Sequence, residues 1–344
     1  TEIRDGLTRR VTAKALGTGT AAAVGVDRPL SGGSGTAVRS VPLLALAHVP
    51  PLPDDAGHSR LLVAGFAEPW PGVLQLDDET TGARLLELGR RGTLGELATG
   101  LLPGPIAVWD RGPDVEVMLF AGHLAAAEPL AVMAGSNRLA VETDAGDWEI
   151  LGFAQATLVA PGRYRLTGLL RGLAGSDPAL GTASAGRRVI VLDGRQAALA
   201  VDPAWLSESR SVRLYAGSRD LTGTPQTLSL GAGPALALPP VHLRAKRQVS
   251  GDVVLSWVRR SRADGDGWGV AESPLELVPE RYRLTILDGA LVRRETEVSQ
   301  SGATYGGAEQ LADFGSLPGA FGFTVAQLSP VLGAGHVATG EFLG

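Results

Sequence analysis

Arg281-Tyr-Arg-Leu-Thr-Ile-Leu287 runs into Asp288-Gly289 and is followed by a second extended-type run, Leu291 to Val298. Successive side chains of an extended chain point to opposite faces, so Tyr282, Leu284 and Ile286 share one face, and Arg281, Arg283 and Thr285 the other. This alternation around a turn dipeptide predicts half-buried antiparallel strands. Working outward, Asp252 to Arg259 turns Trp257 inward, Phe321 to Leu328 precedes a Gly-rich turn, and Ala338 to Phe342 ends the series. The pattern predicts a two-layer antiparallel sandwich starting near Val241, with Trp257, Tyr282, Ile286 and Phe323 in its core.

The same period extends upstream. Arg138 to Glu142 and Trp148 to Phe153 flank Thr-Asp-Ala-Gly-Asp, and Gln155 to Val159 and Arg163 to Gly168 flank Ala-Pro-Gly, so both pairs read as hairpins. Val189 to Leu192 meets a turn at Asp193-Gly194, and Leu228 to Pro240 reads as a linker. Pro50 to Asp55 and Glu68 to Gly72 are loops or strand ends, because proline removes a donor. Two short helices are expected. One spans Thr93 to Leu102, with Thr93 and Glu96 at capping-box spacing, and the other Leu130 to Ala134. The fold class is therefore mainly β, a multi-domain chain of short-stranded β modules with a few short helices. The expected regions are 1–100, β-rich with Pro-rich loops; 101–240, β-rich with hairpins and short helices; and 241–344, the sandwich. The last region, with its early buried Trp and late aromatics, resembles a fibronectin type III domain. Phe321 and Phe323 stand where that resemblance would place a tyrosine corner.

At 344 residues the chain is long enough for several cores, and Gly 47 with Pro 22 fits many short elements joined by turns. No run approaches about 18 uninterrupted apolar residues, and the first twenty lack the pattern of a signal peptide, so a soluble chain without Sec targeting is expected. Thr1 in place of methionine suggests a processed product or a piece of a longer polypeptide. The absence of cysteine excludes disulfides, thiolate metal sites and cysteine nucleophiles. A net charge of −5 argues against a general nucleic-acid binder. Lys14 and Lys246 are the only lysines among 31 basic residues, which points to a GC-rich coding sequence.

Several motifs are weighed against blander readings. Gly17-Thr-Gly19-Thr-Ala-Ala22 has dinucleotide-loop spacing but no βαβ context, so a Gly/Ala/Thr loop is favoured. Asp264-Gly-Asp266-Gly-Trp268 could share a calcium ion, although a hairpin tip explains it more simply. His48, His58, His123, His242 and His336 lack metal-site spacing, and Ser31-Gly-Gly-Ser34-Gly is a loop without partners for a nucleophile. Asp54-Asp55 and Asp77-Asp78-Glu79 look solvated, whereas a glycosidase acid needs burial to raise its pKa. No catalytic residue, cofactor or metal ligand is nominated. The electrostatic anomaly is Arg244, Lys246, Arg247, Arg259, Arg260 and Arg262, six cations against Asp252 alone; they could converge into a patch for phosphate or anionic saccharide and serve an envelope or subunit contact, although a solvated rim or contacts to an acidic neighbouring subunit are favoured.

Ala67-Glu-Pro-Trp-Pro-Gly72, Ala107-Val-Trp-Asp-Arg111, Val132-Met-Ala-Gly-Ser-Asn137, Gly162-Arg-Tyr-Arg-Leu-Thr-Gly-Leu-Leu-Arg-Gly172, Pro240-Val-His-Leu-Arg-Ala245, Ser256-Trp-Val-Arg-Arg260, Ala308-Glu-Gln-Leu-Ala-Asp-Phe314 and Val325-Ala-Gln-Leu-Ser329 occur in this order. Together they resemble the C-terminal part of the baseplate hub of gene transfer agents and siphophage-like tails, the megatron family, which is labelled with a glycoside-hydrolase TIM-barrel-like domain. Leu169-Leu-Arg-Gly172 is the most specific piece. The family's polypeptides are several times longer, and no glycan-cleaving residue carries over to this stretch. The resemblance implies a non-enzymatic structural protein of the tail tip of a virion-like particle, in several copies and trimeric. Its partners would be other tail and baseplate proteins, the host cell envelope, and DNA in transit without sequence-specific binding. The runner-up is a glycan-binding or glycan-cleaving module of a secreted enzyme, with Trp70, Trp109, Trp148 and Trp268 stacking sugars. A bacterial surface adhesin is the third reading.

Overall fold

Alternating apolar runs become strands throughout the computed structural model. It describes residues 41–51, 59–112, 114–217, 219–262, 273 and 275–344, and the strands Glu2–Asp5 and Thr8–Val11. The chain divides into two compact units, Thr1–Val38 and Arg39–Gly344. In the first, β1 (Glu2–Asp5) and β2 (Thr8–Val11) pair antiparallel, Glu2 opposite Val11. The Gly17–Ala22 and Ser31–Gly35 motifs, Asp54-Asp55, His58 and Asp264–Trp268 lie outside the described residues.

The second unit opens with β3 (Leu43–Val49), β4 (Arg60–Phe66), β5 (Leu74–Asp78) and β6 (Arg84–Leu88). The chain then leaves to form β7 (Leu94–Leu97), β8 (Trp109–Asp110), β9 (Val115–Leu119), helix α1 (Pro129–Met133), β10 (Arg138–Glu142), β11 (Trp148–Ala160), β12 (Arg163–Leu170) and β13 (Arg188–Val191). It returns through β14 (Ala197–Ala200), β15 (Ser209–Ala216) and β16 (Thr224–Ser229). Strands β14-β4-β3 form one sheet and β16-β15-β5-β6 the other. Leu61 and Val63 of the first sheet bury against Leu74, Leu76, Val212 and Leu214 of the second.

The excursion is a separate module. Its sheet order is β11-β10-β13-β7-β9-β12, and β11 also pairs with β12, which closes the strands into a six-stranded antiparallel barrel with β8 attached to β12. Closure removes the open edges that would otherwise template unwanted pairing. β11 spans both expected hairpins: residues 148–152 pair with β10, and residues from Gly152 onward pair with β12. Leu97, Val117, Leu139, Leu151, Phe153 and Leu166 fill the interior.

The helix expected over Thr93 to Leu102 is instead β7, which pairs with β13 and β9. Capping-box spacing is a local preference, and two ladders of tertiary pairing override it. Thr93 Oγ1 donates to Asp193 Oδ2 at 2.6 Å and Arg90 Nη2 to the Gly194 carbonyl at 2.9 Å. The two connections into the barrel are thereby laced side by side.

A further cluster explains why β3 and β4 read as nearly continuous apolar runs. Ala45, Ala47, Leu62 and Ala64 face away from the first sandwich core and pack against Leu94, Ala140, Trp148, Ile150 and Ile190 of the barrel. A sheet buried on both faces loses polar alternation. Small side chains let the layers approach: a Cβ on Gly92 would come within 2.9 Å of the Ala64 Cβ.

The second sandwich starts at Val241. It contains β17 (Val241–Arg247), β18 (Val253–Val258), β19 (Tyr282–Asp288), β20 (Leu291–Val298), β21 (Gly302–Tyr305), α2 (Gly307–Phe314), β22 (Ala320–Ser329) and β23 (Gly333–Leu343). Its sheets are β17-β18-β21 and β20-β19-β22-β23. Trp257, Tyr282, Ile286 and Phe323 are all buried, and Trp257 meets Tyr282 edge-on with centroids 5.3 Å apart. Numbered within each module, both sandwiches place strands 1, 2 and 5 in one sheet and 4, 3, 6 and 7 in the other. This is a three-plus-four, fibronectin type III-like arrangement. The chain therefore holds two sandwiches of one topology, with the barrel inserted between the fourth and fifth strands of the first. Sheets are shared across residue 100, since β7, β9 and β13 are neighbours.

Candidate functional site

The motif Leu169-Leu-Arg-Gly172 ends β12 and begins the joint between barrel and second sandwich. Arg171 points into the protein. Its Nε and Nη2 donate to the two carboxylate oxygens of Glu149 at 2.6 and 2.7 Å, and Nη1 donates to the Leu102 carbonyl at 2.8 Å. Both side chains are 1% exposed. A buried pair of this kind specifies one arrangement more than it adds net stability, because desolvation offsets much of the Coulomb gain.

The chain then needs a sharp turn. Gly172 has φ +62°, and a Cβ there would come within 2.9 Å of the Asp177 Cα. Ser176 Oγ accepts from the Ile150 N–H at 2.9 Å, fixing the turn to β11. Asp177, nearly buried in the joint, then accepts two parallel bonds from Arg260, both 2.8 Å. Arg262 donates to the Leu236 carbonyl at 2.6 Å and packs over Gly175, whose Cβ would meet its Nε at 3.0 Å. His336 Nε2 lies 2.8 Å from the Gly233 carbonyl oxygen. Barrel, linker and second sandwich thus meet in one polar knot.

The six nominated cations do not form one patch. Arg244 and Lys246 are exposed on the outward face of β17. Arg247 turns inward, donating to the carbonyls of Gly251 and Pro318 with its guanidinium 4.9 Å from the Phe342 ring. Arg259 donates to the Ser273 carbonyl and lies 3.5 Å from Glu280. Arg260 and Arg262 belong to the joint. Alternation along β17 and the bend after β18 separate residues that are close in sequence.

The carboxylates at 77–79 also differ from the solvated reading. Asp78 is buried and accepts from Arg210 Nη2 at 2.6 Å and from the Thr80 and Thr81 N–H groups. The Arg210 bond, followed by the backbone donors, lowers its pKa to about 2. That is opposite to the shift a general acid needs. Asp77 is held by Arg84, and Glu79 by Arg213. Trp148 is buried among barrel and sheet residues, with Arg188 5.9 Å from its ring. Burial pulls the His48 pKa down to about 4, with the Gly231 backbone offsetting part of the shift. Burial, then the bond to Glu280, pushes the Tyr282 phenol up to about 12. Among the described residues, no group of three His, Asp or Glu side chains is placed to hold a metal ion, and no helix is long and apolar enough to cross a membrane.

Sequence reasoning missed Glu149, Arg171 and Asp177 as a set. The available signal was a charge interrupting an apolar run, in Trp-Glu-Ile-Leu and in Leu-Leu-Arg-Gly.

Residues 92–190 match the family model described as Rcc01698-like, C-terminal. The matched stretch begins two residues before β7 and ends inside β13, so it spans the inserted barrel. No curated protein matches the chain. Similar solved structures include a two fibronectin type-III domain segment from chicken tenascin, 9% identical, covering 72% of this chain and 99% of that one with a TM-score of 0.22. Chicken CNTN1 FN1–FN3 domains are 8% identical, covering 89% and 99%, with a TM-score of 0.22. A cytokine receptor complex is 14% identical, covering 67% and 91%, with a TM-score of 0.24.

Proposed function

We propose that this chain is a structural component of the tail tip of a phage-like particle of the gene transfer agent type, present in several copies about a rotation axis and, by resemblance to tail hubs, trimeric. The observation that carries the reading is the coincidence of the Rcc01698-like match with the inserted barrel. The joint supports it: charged side chains of the barrel and the second sandwich, with carbonyls of the linker, fix one module on another, which suits a part that must hold shape in an assembly. In this role the chain contacts other tail and baseplate proteins and the host cell envelope, and flanks DNA in transit without reading its sequence.

Electron-microscopic reconstruction of native particles tests the reading. Density for two sandwiches and a barrel at the distal end of the tail, repeated about an axis, is the expected result. Particles lacking it there, or a single copy on the axis, would refute the proposal. Arg244 and Lys246 are the cations left for an intermolecular contact, so R244E/K246E should impair assembly or attachment with the fold intact. Reversing Arg259 and Arg260 would instead disturb contacts within the chain.

A further inference from the structure

A cavity of 330 Å³ opens on the barrel beside the laced connections, lined on its apolar side by Phe153 and Leu124 and on its polar side by Arg138, Arg195, His123 and Asn137. Asp193 also lines it, but its charge is engaged. Oδ2 accepts from Thr93 and lies 3.5 Å from Arg195 Nε, while Oδ1 accepts from the Arg195 N–H at 3.0 Å. Arg138 has no such partner among the described residues, and its Nε is buried without an acceptor. The guanidinium thus lines the cavity without a counter-charge among the described residues, and such a cation marks a place for an anionic acceptor.

The backbone is shaped around this guanidinium. Gly135 has φ +103°, and a Cβ there would come within 3.0 Å of Arg138 Nη2. Asn137 has φ +52°, a left-handed conformation uncommon outside glycine, and is held in it by Nδ2 donating to the carbonyls of Ala125 at 2.8 Å and Phe153 at 3.3 Å. Strained residues fixed by hydrogen bonds cluster at ligand sites. Here the strained turn directly precedes Arg138.

We propose that this cleft binds a small carboxylate-bearing ligand, with the carboxylate on the Arg138 fork and its uncharged ring or chain against Leu124 and Val191. A planar guanidinium matches a carboxylate in two parallel bonds. Arg195 is shared with Asp193, 3.5 Å away, so among the described residues Arg138 is the uncompensated cation of the cleft, and a monoanion matches it better than a dianion such as phosphate. Exposed His123 and the Asn137 side-chain oxygen supply further polar contacts. The inference is independent of the tail-tip reading.

Calorimetric titration of the full chain with sodium glucuronate, glucose and inorganic phosphate tests it. Saturable glucuronate binding is expected, without binding of glucose. Arg138→Gln should weaken it about tenfold or more, as expected for loss of a charge-assisted pair, and Arg138→Lys should weaken it less. Arg281→Gln, an exposed cation just before β19 in the second sandwich, should leave it unchanged. Thermal melts establish that each variant is folded. No glucuronate binding by the native chain, unchanged binding in a folded Arg138→Gln variant, or preference for phosphate over glucuronate would each overturn the proposal.

Discussion

Arg260 of the second sandwich and Asp177 of the barrel loop, 83 positions apart, meet in two parallel N–H···O bonds of 2.8 Å. The barrel is inserted in the first sandwich, so this contact links the first module to the last through the middle one. A mutation here should change how modules are held without unfolding any of them. In a double-mutant cycle with Arg260→Gln and Asp177→Asn, a coupling energy of about 0.5–3 kcal/mol is expected. Cleavage within the 230–240 linker should quicken in both single variants under limited proteolysis. Additive effects and unchanged cleavage would show the pair to be incidental.

The core of the second sandwich gives a sharper test. Trp257 is buried against Tyr282, so Trp257→Ala should cost about 3–5 kcal/mol, the usual range for a large buried aromatic. Urea unfolding read by a signal local to residues 241–344 measures this. A cost below about 1 kcal/mol would contradict the packing described, because surface substitutions fall near that level.

His48 predicts a pH dependence. Its folded pKa is about 4 against an ordinary value of 6.5, so the unfolded chain takes up the proton first. Stability from keeping this imidazole neutral is fully present above pH 6.5 and is lost as pH falls from 6.5 toward 4, by about 3 kcal/mol. His48→Leu should flatten the stability profile in that window. Denaturant melts at several pH values decide it, and an equal slope in both proteins would exclude His48 as the cause.

Asp78 acts lower on the scale. With a pKa lowered from 3.8 to about 2, it stabilises the fold above pH 3.8, and the contribution disappears as pH falls toward 2. Asp78→Asn should remove the acid-dependent loss in that range and also destabilise the protein at neutral pH, since Arg210 and the turn at Thr80 lose their charged acceptor. Unfolding followed at pH 7 and pH 3 separates the two effects.

The Arg171–Glu149 pair sets the barrel's interior arrangement. Glu149→Gln leaves a buried guanidinium without its counter-charge and should cost about 3–5 kcal/mol. Replacing both residues by apolar ones of similar volume should cost much less. A mild single variant would mean that water or Asp110, 3.6 Å from Arg171, takes over the role.

Much of this was legible in the sequence. Period-two runs at 281–287 and 321–328 identified strands because one face carries the core, Tyr282, Leu284, Ile286, Phe321, Phe323 and Val325, while the other is buried only at Thr285, Ala326 and Leu328. Turn dipeptides fixed the hairpins through β10, β11 and β12. Strand neighbours distant in the chain were not legible: β6 ends at Leu88 and β14 begins at Ala197, yet they belong to one sandwich. Periodicity states which face is buried but not which strand lies beside which, so the insertion and the repeated topology escaped notice. The joint was hidden for a related reason. Arg260 and Arg262 read as part of a charge run, and only the path of the chain brings Asp177 and the Leu236 carbonyl to them.

The laced connections between Thr93 and Asp193 and between Arg90 and Gly194 give the barrel a mechanical position different from that of the sandwiches. A pull applied to the two ends of the second unit passes along β3 to β6, across the first sandwich to β14 to β16, and on through the linker. The barrel hangs from that path as a side loop whose two stems are tied together. Along this path tension therefore reaches its strands only after the first sandwich has been torn open, and apart from the joint at Asp177 the module that the family match covers is shielded from stretching by the one that carries it.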